Sequence, residues 1–263
     1  MTLTESDSAD RIDRSDDERP IALFLDFDGT LVEIAPMPDA VKLDRQVAPA
    51  LEVLRRTLGG ALALVSGRPI PFLDAMLEPY LFDAAGLHGA QIRKDGELRL
   101  QADVPEAMRE ATRDLVRFAN GHVGVIVEDK RISIALHWRL APQLRDEALA
   151  LARGIAARMG PSIRLQEGKA VAELVPAAAS KGAAIGWLMG HAPYAGRMPV
   201  FIGDDITDEA GFETVNRLGG MSIRIGAGET CAMLRIASPT DLRAILLAAA
   251  DTGALTAASF SRT

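Results

Sequence analysis

Apolar residues cluster in two distinct rhythms at the ends of the chain, and a third rhythm fills the middle. Ile21–Leu25 and Ala61–Val65 are unbroken apolar runs, the pattern of strands buried on both faces. Between them Val47, Leu51, Leu54 and Leu58 recur at helical spacing within 43–58, and Gly59-Gly60 supplies a stop suited to a left-handed cap. Residues 81–92 read as a strand region, and Lys94-Asp95-Gly96-Glu97 as a hairpin turn. Further on, Pro199–Ile202 and Met221–Ile225 read as strands. Helices are predicted over 183–188 with Ser180 as N-cap, after Asp208 with Phe212 and Val215 inward, and over 239–250. Strand, helix, strand with apolar strands throughout predicts a parallel sheet covered on both faces, an α/β core of Rossmann-like form.

From Pro105 to Pro176 the pattern changes. A helix over 107–119 (Ala107, Ala111, Leu115, Phe118) precedes strands over 123–127 and 132–138, the second alternating Ile132, Ile134, Leu136 and Trp138. A helix over 143–159 and strands over 163–166 and 171–175 follow. This αββαββ order, with polar and apolar positions alternating, predicts a smaller α+β domain whose sheet is antiparallel and solvated on one face. The expected organisation is a disordered tail over 1–19, a core formed by 20–104 and 178–263, and an inserted domain at 105–177.

Composition narrows the function classes. The net charge of -7 argues against non-specific nucleic-acid binding, which needs a basic face to displace counterions. No apolar run approaches the ~20 residues a membrane-spanning helix needs, and the polar N-terminal stretch lacks a signal-peptide core. Cys231 is the single cysteine, so no intrachain disulfide can form; a reducing compartment fits, and a cytoplasmic protein is expected.

The candidate chemistry falls at the carboxyl ends of the apolar strands, where open α/β sheets bind ligands. The first strand runs into Asp26-Phe27-Asp28-Gly29-Thr30. Two carboxylates so close at a strand end repel unless a positive group lies between them, and Mg²⁺, a hard cation, takes such oxygen ligands. A plain Asp-Gly turn would use the same residues. Ser66 ends the second strand, where a hydroxyl and free N–H groups suit either a helix cap or a phosphate. Lys181 opens a helix against the dipole, which an anionic partner would explain. Asp204, Asp205, Asp208 and Glu209 crowd the end of another strand, a second source of metal ligands. In the insert, Glu128, Lys130, Arg139, Glu167, Lys169 and Glu173 form a mixed-sign set. Singly they read as solvated edge residues; together they would suit a polyhydroxylated sugar, which needs donors and acceptors. His88 has no second histidine nearby and reads as structural or substrate-contacting.

Asp26/Asp28, Ser66, Lys181 and Asp204/Asp205, in that order, resemble the four motifs of the haloacid-dehalogenase (HAD) phosphatase superfamily. The insert between the second and third motifs resembles an α/β cap. Ser66-Gly67-Arg68, Gly86–Ala90, Glu128-Asp129-Lys130, Leu136–Arg139, Glu167-Gly168-Lys169, Glu173-Leu174 and Gly203–Glu209 are similar to segments of the trehalose-6-phosphate phosphatases, from about residue 20 to 245. The resemblance implies Mg²⁺-dependent hydrolysis of trehalose 6-phosphate, with Asp26 as nucleophile, Asp28 as general acid/base, and Ser66 and Lys181 on the phosphoryl oxygens. It implies a metal held by Asp26, the Asp28 carbonyl and Asp204, with Asp205 and Asp208 beside them. It also implies substrate contacts from Gly67, Arg68, His88, Glu128, Lys130, Arg139, Glu167, Lys169 and Glu173, and an upstream trehalose-phosphate synthase. Another phosphosugar, such as sucrose phosphate or a glucosyl- or mannosylglycerate phosphate, is the alternative substrate. A receiver-type phospho-acceptor is the alternative class.

Overall fold

The computed structural model describes residues 19–34, 41–100, 106–129, 133–168 and 170–260. Among them an eight-stranded sheet carries the two ends of the chain and a four-stranded sheet the middle. In chain order the large sheet contains β1 (Ile21–Leu25), β2 (Leu62–Val65), β3 (Asp83–Gly86), β4 (Gln91–Lys94) and β5 (Glu97–Leu100). It is completed by β10 (Met198–Gly203), β11 (Met221–Ile225) and β12 (Leu234–Ile236), in spatial order β12-β11-β10-β1-β2-β3-β4-β5. All neighbours from β12 to β3 are parallel, and β4 alone runs against the rest, pairing antiparallel with both β3 and β5. The apolar runs at both ends thus become central strands, and β1 is buried along its whole length.

Helix α1 (Val47–Thr57) fills the helical stretch before Gly59-Gly60. Helix α2 (Ile70–Leu77) is short and carries a proline in its first turn; the sequence pattern did not mark it, because eight residues give too little periodicity. Strand β12 also escaped, being three residues long. The region 81–92 is two antiparallel strands joined by a turn in which Leu87 (φ 50°), His88 (φ 55°) and Gly89 (φ 93°) are all left-handed. Helices α5 (Lys181–Met189), α6 (Glu209–Arg217) and α7 (Pro239–Thr252) follow the predicted positions, and the Ser180 hydroxyl accepts from the Ala183 N–H as a cap.

The middle of the chain packs α3 (Glu106–Asn120) and α4 (Arg145–Met159) on a sheet of β6 (Ile126–Asp129), β7 (Ile134–His137), β8 (Ile163–Gly168) and β9 (Val171–Pro176). Its order is β6-β7-β9-β8, antiparallel throughout. Strand β6 starts at Ile126 rather than Val123 because Gly124 turns the chain at φ 89°. The two sheets support separate hydrophobic clusters, one around Phe24, Phe201 and Phe212, the other around Leu115, Leu136 and Ile155.

A charged cluster fastens α1. Glu52 lies 10% exposed and accepts from Arg55 (2.7 and 3.0 Å) and Arg56 (2.7 Å). Hydrogen bonding from Arg55 holds its carboxyl below the usual glutamate value of 4.5. A lowered folded-state value stabilises above the unfolded range and is lost as pH falls through it. Glu52→Gln should therefore cost about 1–2 kcal/mol at neutral pH. In urea melts the difference from wild type should shrink progressively as pH falls below the usual glutamate range; a difference independent of pH would refute the charge-based account.

Candidate active site

Asp26 directly follows β1, where its N–H still pairs with the Ile202 carbonyl of β10 at 2.9 Å. Its carboxylate is 3% exposed. It accepts from the Thr30 hydroxyl (3.1 Å) and from Lys181 Nζ (2.7 Å). Lys181, equally buried, also donates to Asp208 at 2.6 Å. It stands at the first turn of α5, which packs so closely on α6 that a Cβ on Gly182 would lie 2.1 Å from the Ala210 carbonyl oxygen. Glycine is what lets the lysine reach this depth.

Asp208 has both oxygens engaged: Oδ1 takes Lys181, and Oδ2 takes the N–H groups of Asp204 (3.0 Å) and Asp205 (2.9 Å). The Asp205 side chain turns outward, exposed, to cap the Ile206 N–H at 2.7 Å. Asp204 points inward over Gly29, where a Cβ would fall 2.0 Å from its carboxylate, and its Oδ1 is buried with no hydrogen-bond partner among the described residues. Oxygens of Asp26, Asp204 and Asp208 lie within 4.8 Å of one another.

Among these groups three carboxylates share one ammonium. Burial pushes Asp26 well above the ordinary carboxylate range, with Lys181 opposing and Asp208 and Asp204 adding to the rise. Burial, then Asp208, pushes Asp204 up to about 7. Lys181 goes the other way: burial lowers it, but Asp208 and Asp26 outweigh that and hold it charged. The pocket is short of positive charge. An orphaned carboxylate oxygen, all-oxygen donors and surplus negative charge together fit a hard divalent cation.

Asp28 stands apart from that cluster. Arg68 grips it with a two-pronged pair, Nε to Oδ2 at 2.7 Å and Nη2 to Oδ1 at 2.8 Å, and the guanidinium lies 4.4 Å over the Phe72 ring. Ser66 is buried after β2; its hydroxyl accepts the Arg68 N–H (3.1 Å) rather than capping α2, which begins at Ile70. The left-handed turn at 87–89 docks on this loop: Leu87 N–H donates to the Arg68 carbonyl and His88 N–H to the Ser66 carbonyl, both at 3.0 Å. The imidazole lies over Gly67, where a Cβ would come 2.6 Å from it.

The small sheet approaches from above. His88 Nε2 lies 3.4 Å from the Gln166 amide nitrogen and 3.9 Å from Glu173 Oε2. Glu173 is nearly buried and accepts from the Ser133 hydroxyl at 2.6 Å. Glu128 is exposed on β6 and pairs with His137 at 3.1 Å; Arg139 is exposed beyond the end of β7. Glu167, one of the expected mixed-sign set, lies on the opposite face of the sheet from Glu173. Opposed residues in an antiparallel sheet share a face, and Glu167 opposes Ala172, whose side chain is in the helix-covered core. Its carboxylate accordingly meets Arg153 of α4 at 2.7 Å. Lys130 and Lys169 lie outside the described residues. Ser133, Arg164 and Gln166 lie on the opposite, helix-free face with Glu173; no motif marks them, and only the pleat of the sheet reveals them.

No helix among the described residues is long and apolar enough to cross a membrane. A family model described as trehalose-phosphatase matches residues 24–239. The trehalose-6-phosphate phosphatase of Escherichia coli (strain K12) is 44% identical over 222 residues, covering 84% of this chain and 83% of that one. A probable trehalose-phosphate phosphatase of Sinorhizobium fredii is 46% identical over 206 residues, covering 78% and 77%. In fold, the C-terminal domain of the C. albicans trehalose-6-phosphate phosphatase superposes with a TM-score of 0.76 at 21% identity, over 89% of this chain and 93% of that domain. The chain belongs to the trehalose-phosphatase family.

Proposed function

We propose that the protein hydrolyses trehalose 6-phosphate to trehalose and phosphate, in trehalose biosynthesis, with residues 20–104 and 178–263 acting as the catalytic core and 105–177 as a cap. The observation that carries the chemistry is the buried Asp26 carboxylate, held by Lys181 and Thr30 at a sheet's carboxyl edge with Asp28 two residues on. The family carries the substrate.

In this scheme Asp26 attacks phosphorus, an aspartyl-phosphate forms and the bond to the sugar oxygen breaks. Asp28 gives that oxygen its proton, then takes one from the water that cleaves the acyl phosphate and regenerates Asp26. For these proton transfers Asp28 must leave the two-pronged pair in which Arg68 occupies both its oxygens. Ser66 and Lys181 donate to the phosphoryl oxygens, where transition-state charge collects. Asp26, Asp204 and the Asp28 carbonyl would hold Mg²⁺, with Asp208 fixing the loop behind them. Bound there, Mg²⁺ would screen the carboxylates from the phosphate and neutralise its developing charge. The cap covers the site and excludes water. A cytoplasmic setting suits the lone cysteine, and a synthase of the same ester would be the upstream partner.

The test is phosphate release from a panel of sugar phosphates and an aryl phosphate, with Mg²⁺ and with EDTA. Mg²⁺-dependent preference for trehalose 6-phosphate is expected. Activity spread evenly across the panel would remove the disaccharide assignment, and none in Mg²⁺ would remove the phosphatase.

A further inference from the structure

The pleat of β8 turns alternate residues toward and away from the catalytic loops. Gln166 opposes Glu173, Glu173 opposes Ala135, and Ala135 opposes Glu128, so these four share the helix-free face. Arg164, two residues before Gln166, lies on the same face. Its Nη1 donates to the Gln166 amide oxygen (3.0 Å) and its Nη2 to the Ala179 carbonyl of the core (3.1 Å).

That pair of bonds fixes which way the amide points. With its oxygen on the guanidinium, Gln166 must present its NH₂ group toward His88, 3.4 Å away. Ser133 fixes Glu173 similarly, donating to Oε1, while Oε2 lies 3.9 Å from His88 Nε2. A donor and an acceptor, each aimed by a neighbour, therefore converge beside His88, which itself rests on Gly67, next to Ser66. A hydroxyl is both donor and acceptor, so a donor and an acceptor converging beside the Ser66-Gly67 loop match what a sugar hydroxyl presents.

We propose that Gln166 is a specificity-determining residue, its amide binding a hydroxyl of the phosphorylated sugar, and that Arg164 is the residue that positions it. This rests on the sugar-phosphate reading above. It also moves the expected cap contact by one residue, from Glu167 to Gln166.

The experiment measures kcat and KM for the sugar phosphate the wild type prefers and for p-nitrophenyl phosphate, in Gln166→Met, Arg164→Met, Arg164→Lys and Glu167→Gln, with a thermal melt of each. Gln166→Met keeps length and loses the amide; it should raise KM for the sugar phosphate about 10-fold, the loss of one directed hydrogen bond. Its kcat and its aryl-phosphate constants should stay within about two-fold, a margin well inside one hydrogen bond. Arg164→Met should shift the same KM in the same direction, Arg164→Lys should recover part of it, and Glu167→Gln should leave both substrates unchanged. A sugar-phosphate KM unmoved in Gln166→Met, or one that rises equally for both substrates, overturns the proposal. If Arg164→Met melts early, Gln166→Met alone decides. A wild type with no preference for any sugar phosphate over the aryl ester refutes the substrate reading, and this inference with it, before any variant is compared.

Discussion

Asp26→Asn should lower steady-state phosphate release by about 10⁴-fold or more, the scale seen when a nucleophile is removed, while the melting temperature holds or rises. The side chains are nearly the same size, and the amide oxygen can still accept from Thr30 or Lys181. What changes is charge: Asp26 is buried, desolvated and crowded by Asp204 and Asp208, so neutralising it relieves repulsion that folding had to overcome. Loss of activity with a stable fold separates a chemical role from a structural one. Appreciable residual turnover would sink the nucleophile assignment. A large fall in melting temperature would show that the carboxylate holds the loop together.

Lys181→Met should be the most damaging substitution for stability. It removes the single ammonium bonded to both Asp26 and Asp208 and leaves two buried carboxylates facing each other. Breaking a buried pair by deleting one partner costs about 3–5 kcal/mol, and in the proposed mechanism activity should fall with it because the phosphoryl oxygens would lose a donor. The double variant Lys181→Met/Asp208→Asn should regain part of the stability, since one stranded charge is gone, but none of the activity. Urea melts of the single and double variants read this directly. A single variant within about 1 kcal/mol of wild type would mean that the carboxylates do not depend on the lysine.

The buried strands were legible because a parallel sheet covered on both faces has to be apolar along its length, as Leu23–Leu25 and Val200–Ile202 are. Acids at the ends of such strands were legible for the opposite reason: Asp26 and Asp204 break runs that otherwise contain no charge. What the residues do to one another was not legible. Nothing in the sequence says that Arg68 would grip Asp28, forty positions earlier, or that Asp208 would spend both oxygens on Lys181 and the loop's own N–H groups. Those depend on where loops from different strands meet. The cap was legible only in part, for a subtler reason. Glu167 and Gln166 are neighbours in the chain, charge drew attention to the first, and a period of two put the second on the catalytic side.

The return from the small sheet to the large one is short. On the return, β9 ends at Pro176 and α5 begins at Lys181, so Glu173 in the cap and Lys181 in the core are eight positions apart, with Ala179 between them held by Arg164. In the proposed function, the residue facing the sugar and the residue facing the phosphate are therefore carried on one short length of chain. Changes to the path of this segment should therefore alter substrate range and turnover together, whereas a side-chain change on β8 such as Gln166→Met need not. A graft that exchanges the cap for that of a relative with another sugar preference will have to bring residues 171–181 as one cassette, because a join placed inside it would misalign the lysine that the chemistry depends on.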